Sequence, residues 1–530
     1  MDFHRYYFRI RHSATHRSTN RATNHSAIGL VVLALLGVAL GPVAGDSAVV
    51  GAQQLSTNAP LVFDGVTVID VQKGRLLPAQ RVVIVGNRIR AVGGVGAVRV
   101  PTGSRVVNAR GKYLIPGLWD MHTHAFESHA TDLFNALLIA NGITGIRDAS
   151  SPVPLDSMLL WRREILAGTR VGPPRQLLSG PAIDDSSTKY GKDICEDAEA
   201  AHICVADSAD ARHVVDSLKA AGADILKTYQ LGRKLYFTIA AEARRVGIPF
   251  GGHLIGAPPA MGGELITATA IEASDSGAGL LDHVNTAGDL DGRCWVSKDS
   301  WASKDSRPSV EQCKPVAERF RRNNTWWVPT LISHWVDHDV QIGLGGPATH
   351  DIITRFDALG HAFWNGAPLS LDWLRDTANR ARSARLTHPT TPAALGAVDT
   401  NTDGEFLRIV QRVGLPILAG TDVAGVRKRG EEPPGGFDLH AELALIVAMG
   451  MTPLEALQAA TLNPAKFLHG TDSLGTVASG KLADLVLLDA DPLTDITNTT
   501  TIRAVVANGR YFDRAALDRL MTDAQAKAKQ

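Results

Sequence analysis

Two histidines one residue apart, His122 and His124, follow the apolar run LIPGLWDM and precede AFES. Imidazole is a ready ligand for zinc, manganese, cobalt or nickel. Residues two apart on a strand share one face, so both rings can turn toward one point. An HxH pair by itself is common and says little. Four more residues of ligand type close other apolar runs: Lys227 in ADILKTYQ, His253 in FGGHLIG, His283 in LLDHVN and Asp422 in LAGTDV. Four imidazoles and a carboxylate meeting in one place would suit a divalent cation. Lys227 fits less simply, because a buried ammonium ordinarily pairs with a carboxylate and is repelled by cations. A lysine amine that has taken up CO2 is instead a carbamate, an anion able to bridge two metals.

That chemistry needs elements that bring six distant residues to one end. Short apolar strands alternating with amphipathic helical stretches recur from YLIPGLWDMH through GITGIRDAS, PRQLLSGPAI, ADILKTYQ, IPFGGHL, GLLDHVN and WWVPTLI to LPILAGTDV. Eight such repeats predict an α/β fold of the (β/α)8 TIM-type barrel class, whose reactive groups sit at the C-terminal ends of the strands; a doubly wound open sheet is the competing topology. On either side the texture is different. LVFDGVTVIDV and RVVIVGNRIRAVG before the barrel, and KLADLVLLDADP and IRAVVANGRYF after it, alternate apolar with polar residues between turn signals, the mark of antiparallel strands. They predict a small β-sandwich built from both chain ends. The expected layout is a leader over 1–45, sandwich segments over 46–115 and 472–515, the barrel over 116–471 and a tail over 516–530. An insert at 333–405 follows the seventh strand; its Trp335, His338, Trp364 and Trp373 could line a pocket, though most suit packing within the insert.

Arg5, Arg9, Arg11, Arg17 and Arg21 precede the apolar run Ile28 to Leu40 and then GPVAG, the pattern of a secretory signal peptide. The run is short for a bilayer span, which takes about 20 residues. The expected location is therefore periplasmic or secreted, with no stable membrane insertion after cleavage; an uncleaved anchor is the other reading. Lys plus Arg and Asp plus Glu number 54 each, so no global field recruits nucleic acid or an anionic membrane. A small-molecule substrate is the expected partner, and a homo-oligomer stays open. In an exported chain, the four cysteines fall into local pairs, Cys195 with Cys204 and Cys294 with Cys313, as disulfides do. A structural zinc site is the alternative, without CxxC spacing to support it.

In sum of motifs, the chain from Leu61 to about Phe512 resembles the amidohydrolase superfamily, in its imidazolonepropionase-like and exported Xaa-Pro dipeptidase-like branch. IPGLWDMHTH, GITGIRD, GADILKTY, GTD, MTPLEALQAATLNPAKFLHG and LGTVASGKLADLVLLD carry the resemblance in that order. It implies His122, His124 and Asp422 around one metal, His253 and His283 on a second, and carboxylated Lys227 as the bridge. Zinc would be the leading metal. A metal-bridging hydroxide would attack the carbonyl of an amide or dipeptide-like substrate, Xaa-Pro or N-acyl amino acid in kind. Asp422 would shuttle the proton to the departing nitrogen. Tyr229, two residues after Lys227, would hydrogen-bond the oxyanion as in the dipeptidase-like members. His440 reads as support behind a ligand, and Arg147 with Asp148 as a structural ion pair. Heterocycle deamination, with one metal and no task for Lys227, and lactone or ester hydrolysis are the rival reactions on the same scaffold. A non-catalytic binding protein would be expected to have lost ligands, and all six are present.

Overall fold

The computed structural model describes residues 59–126, 130–188, 191–192, 195–196, 201–254, 267–283, 294, 309–336, 402–424, 436–448 and 450–528. The expected leader and most of the 333–405 insert, including His338, Trp364 and Trp373, lie outside the described residues.

The chain opens with β1 (Leu61–Asp70), β2 (Arg75–Val85), β3 (Arg88–Gly94), β4 (Arg105–Asn108) and β5 (Tyr113–Pro116). Then come β6 (Leu118–His124), β7 (Ile143–Asp148), β8 (Arg175–Leu178), β9 (Ala182–Asp185) and β10 (His202–Val205). They are followed by β11 (Leu226–Thr228), β12 (Phe250–Gly252), β13 (Leu280–Asp282), β14 (Trp326–Val328) and β15 (Val423–Ala424), and last by β16 (Leu485–Leu488), β17 (Ile502–Ala507) and β18 (Arg510–Asp513).

Both chain ends enter one sheet, in the order β18-β17-β16-β5-β1-β2-β3, with β4 also on β1. The join is antiparallel, Leu114 of β5 opposite Leu487 of β16. Where the sequence reading expects a sandwich, the hydrogen bonds form one continuous sheet that forks at β1: residues 61–64 pair with β4 and Thr67 and Val68 with β5. Phe63, Val68, Ile84, Leu114, Leu485 and Val506 fill a separate apolar cluster within it.

Among the described residues the middle of the chain supplies parallel strands only. One sheet runs β10-β9-β11-β12-β13-β14 and another β15-β6-β7-β8. Backbone bonds link them across residues 415–419: Leu418 N donates to Trp327 O (2.9 Å) and Met121 N to Ala419 O (2.8 Å). On the other side Asp224 N, just before β11, donates to Leu178 O of β8 (2.8 Å). Helices return the chain between strands. Asp207 caps Ser208–Ala221 by accepting from Ala209 N, and Gly222 ends it at φ 96°, where a side chain would be strained. Thr452 and Glu455 form a reciprocal capping box on Pro453–Ala459.

The expected C-terminal tail is instead a helix, Arg514–Ala528. Leu517 and Ala524 are buried in the main core, with Leu520 and Met521 against it; that three-to-four spacing is an apolar helical stripe. Both cysteine pairs are disulfides, Cys195–Cys204 and Cys294–Cys313. Among the described residues no helix is long and apolar enough to cross a membrane.

Candidate metal centre

Five of the six ligand-type residues stand at or near the C-terminal ends of parallel strands, and the sixth stands just before the short β15. His122 and His124 close β6, Lys227 lies in β11, His253 and His283 directly follow β12 and β13, and Asp422 precedes β15. Glycine lets these ends approach. A Cβ on Gly420 would lie 2.9 Å from both Cβ and N of His122, and one on Gly252 (φ 146°) 2.0 Å from Thr228 O. Two of the ligand candidates themselves adopt left-handed backbone, His283 at φ 65° and Asp422 at φ 56°. Ser150 (φ 120°), which touches His124, and Thr330 (φ 48°), which touches His283, do the same. Such conformations cost about 1–3 kcal/mol each and persist where the surroundings impose them, characteristically at functional sites.

His122, His124 and Asp422 present ligand atoms that all lie within 4.8 Å of one another. Both Nε2 atoms sit 3.0 Å from Asp422 Oδ1. The tautomer of His124 follows from its other nitrogen, which meets the carbonyl oxygen of Ser150. A carbonyl only accepts, so Nδ1 carries the proton and Nε2 in the neutral ring is a bare lone pair facing a carboxylate. The His283 ring stands 4.6 Å from the His122 ring, and the His253 ring 4.8 Å from that of His283. His283 Nδ1 meets Thr330 Oγ1 at 2.6 Å and lies 3.7 Å from Asp422 Oδ2, which also accepts from Ser333 Oγ (3.2 Å). Among the described residues the buried Nε2 of His253 has no hydrogen-bond partner, and the buried Nε2 of His122 faces the Asp422 carboxylate. A buried orphaned nitrogen and facing acceptors are what a cation would satisfy, so the residues present fit a divalent metal.

Electrostatics keep these rings ready to ligate. Burial lowers His122 and holds His253 well below the ordinary imidazole range, with the Lys227 charge adding to it at His253. Burial takes His283 to about 3 against the opposing pull of Asp422. Burial would raise Asp422, but the neighbouring His283 and His122 more than offset it and hold the carboxyl well below its usual value.

Lys227 is wholly enclosed and donates to Asp282 Oδ2 at 2.5 Å. Asp282 carries no motif signal, yet Arg147 Nη2 also reaches its Oδ1 at 2.6 Å. The expected Arg147–Asp148 pair is therefore corrected: Arg147 turns to Asp282 and donates to Met121 O (2.5 Å), while Asp148 accepts from Ser151 Oγ. Adjacent strand residues face opposite ways, so Arg147 and Asp148 could not share one partner. Asp120 was missed as well. Its Oδ1 accepts from the backbone N of His122 and of Thr421, each at 3.1 Å, and its Oδ2 from Thr421 Oγ1 at 2.7 Å. It clamps the two ligand-bearing chain segments together. A lone buried carboxylate or guanidinium in an apolar strand must find a partner, and that was the available signal for all three.

Tyr229 is half-buried with its ring 4.2 Å from that of His253 and 4.9 Å from that of His202, whose Nδ1 is held by Asp184. His440 departs from expectation. It lies in the helix Asp438–Ala448, bonds Thr499 Oγ1 (3.0 Å) and backs none of the ligand residues; the helix turns it toward the C-terminal segment. Burial lowers its pKa to about 4. Between pH 6.5 and about 4 the unfolded chain binds a proton that the folded chain refuses. Stability from this group is thus intact above pH 6.5 and lost as the pH falls through that window, up to about 3 kcal/mol. Urea unfolding of His440→Gln should accordingly lose less stability between pH 7.5 and 4.5 than the unsubstituted chain; parallel losses would refute the assignment.

Residues 365–511 match the Amidohydrolase family. Stretches of the chain are 32% identical over 108 residues to the imidazolonepropionase of Thermoplasma volcanium, covering 19% of this chain and 24% of that protein. An adenine deaminase of Paracoccus denitrificans is 29% identical over 113 residues, 20% of this chain and 19% of that one. The matched part thus spans a quarter or less of these relatives. A likeness in fold to solved structures extends much further along the chain. A Xaa-Pro dipeptidase solved with bound methionine aligns over 86% of this chain and 100% of its own at TM-score 0.57 and 18% identity. Molinate hydrolase aligns over 86% and 95% at TM-score 0.58 and 20% identity.

Proposed function

We propose that this chain is a metal-dependent hydrolase, exported from the cytoplasm, that cleaves the C–N bond of a small amide or dipeptide-like substrate on a (β/α)8 barrel. The observation that carries the reading is the meeting of the His122 and His124 Nε2 atoms on one oxygen of Asp422. The amidohydrolase match and the likeness in fold to a Xaa-Pro dipeptidase support the reaction class. The backbone bonds that link the two parallel sheets on both sides support the barrel, and two disulfides support an oxidising compartment.

His122, His124 and Asp422 would hold one cation and His253 and His283 a second, with Lys227, once carboxylated, spanning them. When bound, two divalent cations, zinc foremost, supply an electrophile for the substrate carbonyl and make water a nucleophile at neutral pH. The chain's own groups do the rest. Asp422 accepts a proton at Oδ2, the oxygen turned toward Ser333, and returns it to the departing nitrogen, which leaves poorly unless protonated. The Tyr229 phenol beside His253 donates to the oxygen that gains charge. Small Xaa-Pro dipeptides and N-acyl amino acids are the substrate classes to try first.

One observation favours a second reading. Among the described residues only His122, His124 and Asp422 gather as a compact donor set, while Lys227 is ion-paired with Asp282. A single-metal deaminase of a heterocycle would need no more than that. Metal content per chain after reconstitution with zinc and bicarbonate, followed by a screen of dipeptides, N-acyl amino acids, lactones and heterocyclic amines, separates the two. Two metals with amide cleavage is the expected result. One metal with ammonia release establishes deamination instead, and a chain that neither binds metal nor turns over any of these classes overturns both.

A further inference from the structure

Asp282 lies beneath the candidate metal centre and meets residues from three other strands. It is fully buried at the end of β13. Its Oδ2 accepts from Lys227 Nζ at 2.5 Å, and its Oδ1 accepts from Arg147 at 2.6 Å and stands 3.1 Å from His122 Nδ1. Arg147 Nη2 also lies 3.0 Å from that same ring nitrogen.

A neutral imidazole has one N–H, and the partner of each nitrogen decides where it resides. Two groups compete for His122 Nδ1, a donor from Arg147 and an acceptor from Asp282. Arg147 Nη2 carries two hydrogens, and one of them makes the shorter, charge-assisted bond to the carboxylate at 2.6 Å. A cation held at Nε2 would take that nitrogen's lone pair, and the ring's one proton would then sit on Nδ1, 3.1 Å from the Asp282 oxygen. With the proton on Nδ1, that contact becomes a hydrogen bond, and Nε2 is left bare toward Asp422 Oδ1 at 3.0 Å.

We propose that Asp282 is a positioning residue of the metal centre. Through one carboxylate it fixes the His122 ring in the tautomer that frees Nε2, and it tethers the Lys227 amine beside the same site, while Arg147 locks the carboxylate in place. His124 obtains the same tautomer from the Ser150 carbonyl, so the two ligands of the HxH pair are set by different means, one from a main-chain acceptor and one from an acid seven strands further along the chain. The inference rests on the reading of His122 as a metal ligand, and deepens it.

Two measurements test it. In the full chain with 15N-labelled histidine and no metal, the His122 signal, assigned by its loss in His122→Ala, should report a proton on Nδ1 at neutral pH. A proton on Nε2 overturns the proposal, and this readout needs no variant at Asp282 to fold. Zinc and cobalt(II) affinities are then measured by chelator competition for wild type, Asp282→Asn, Asp282→Glu and a remote control, Asp484→Asn, which loses the Arg175 partner in the terminal sheet. Loss of an acid that orients a ligand typically weakens metal binding 10- to 100-fold. That loss is expected for Asp282→Asn, with partial recovery in Asp282→Glu and no change in Asp484→Asn. Wild-type affinity in Asp282→Asn sinks the proposal but leaves the metal reading standing. If wild type and His122→Ala bind metal equally weakly, the metal reading itself fails.

Discussion

Alanine at Lys227 should lower metal content from two ions per chain to one and remove nearly all amide hydrolysis, at least about a thousandfold. It should also destabilise the fold, for a reason separate from the metal. Asp282 is fully buried and held well below the usual carboxylate range, burial being outweighed by the charges of Arg147, His122 and Lys227. In the metal-free chain, where Lys227 is an ammonium paired with Asp282, taking away that cation leaves the carboxylate short of a partner, a change that commonly costs about 3–5 kcal/mol. The double variant Lys227→Met with Asp282→Asn removes both charges and should regain much of the stability without regaining activity. Metal analysis, initial rates and urea midpoints on the three proteins decide the matter. Full activity in Lys227→Ala would end the two-metal reading.

A second large effect is expected at Asp422. Asp422→Asn keeps the shape and the hydrogen bond from Ser333, but it loses the negative charge that both ring nitrogens face and the capacity to take a proton. Rate should fall by about 10³ or more, and metal affinity should fall with it. His124→Ala removes a ligand but no proton acceptor. The two variants should therefore separate when assayed at saturating zinc: His124→Ala recovers part of its rate and Asp422→Asn does not. Equal recovery in both would show that Asp422 serves only as a ligand.

The outline of this site was legible because its residues are of unusual type for their setting. Histidines, a lysine and an aspartate closing apolar strands at 122, 124, 227, 253, 283 and 422 cannot be explained by burial of apolar surface. The mixed α/β order was legible for a similar reason, since parallel strands read as short continuous apolar runs. What lies behind the ligands was not. Asp282 immediately precedes His283 and seemed part of its motif, and its partners Arg147 and Lys227 come from β7 and β11, which only the folded arrangement brings to it. The fork at β1 was hidden because alternation marks which side of a strand is covered, not which neighbour supplies its hydrogen bonds. The terminal helix was set aside as a tail although Leu517, Leu520, Met521 and Ala524 already traced a stripe along it.

The sheet shared by the chain ends has a consequence for how the molecule comes into being. Asn87 donates to Asn508 across 421 positions, and β5, the strand leading straight into the histidine pair, is bordered on one side by β16. A ribosome must deliver nearly the whole polypeptide before that strand finds its outer neighbour, and contacts closing so long a loop form late. That edge of the terminal sheet would stay open until synthesis is almost finished, while the parallel strands between β6 and β14 have their partners earlier in the chain.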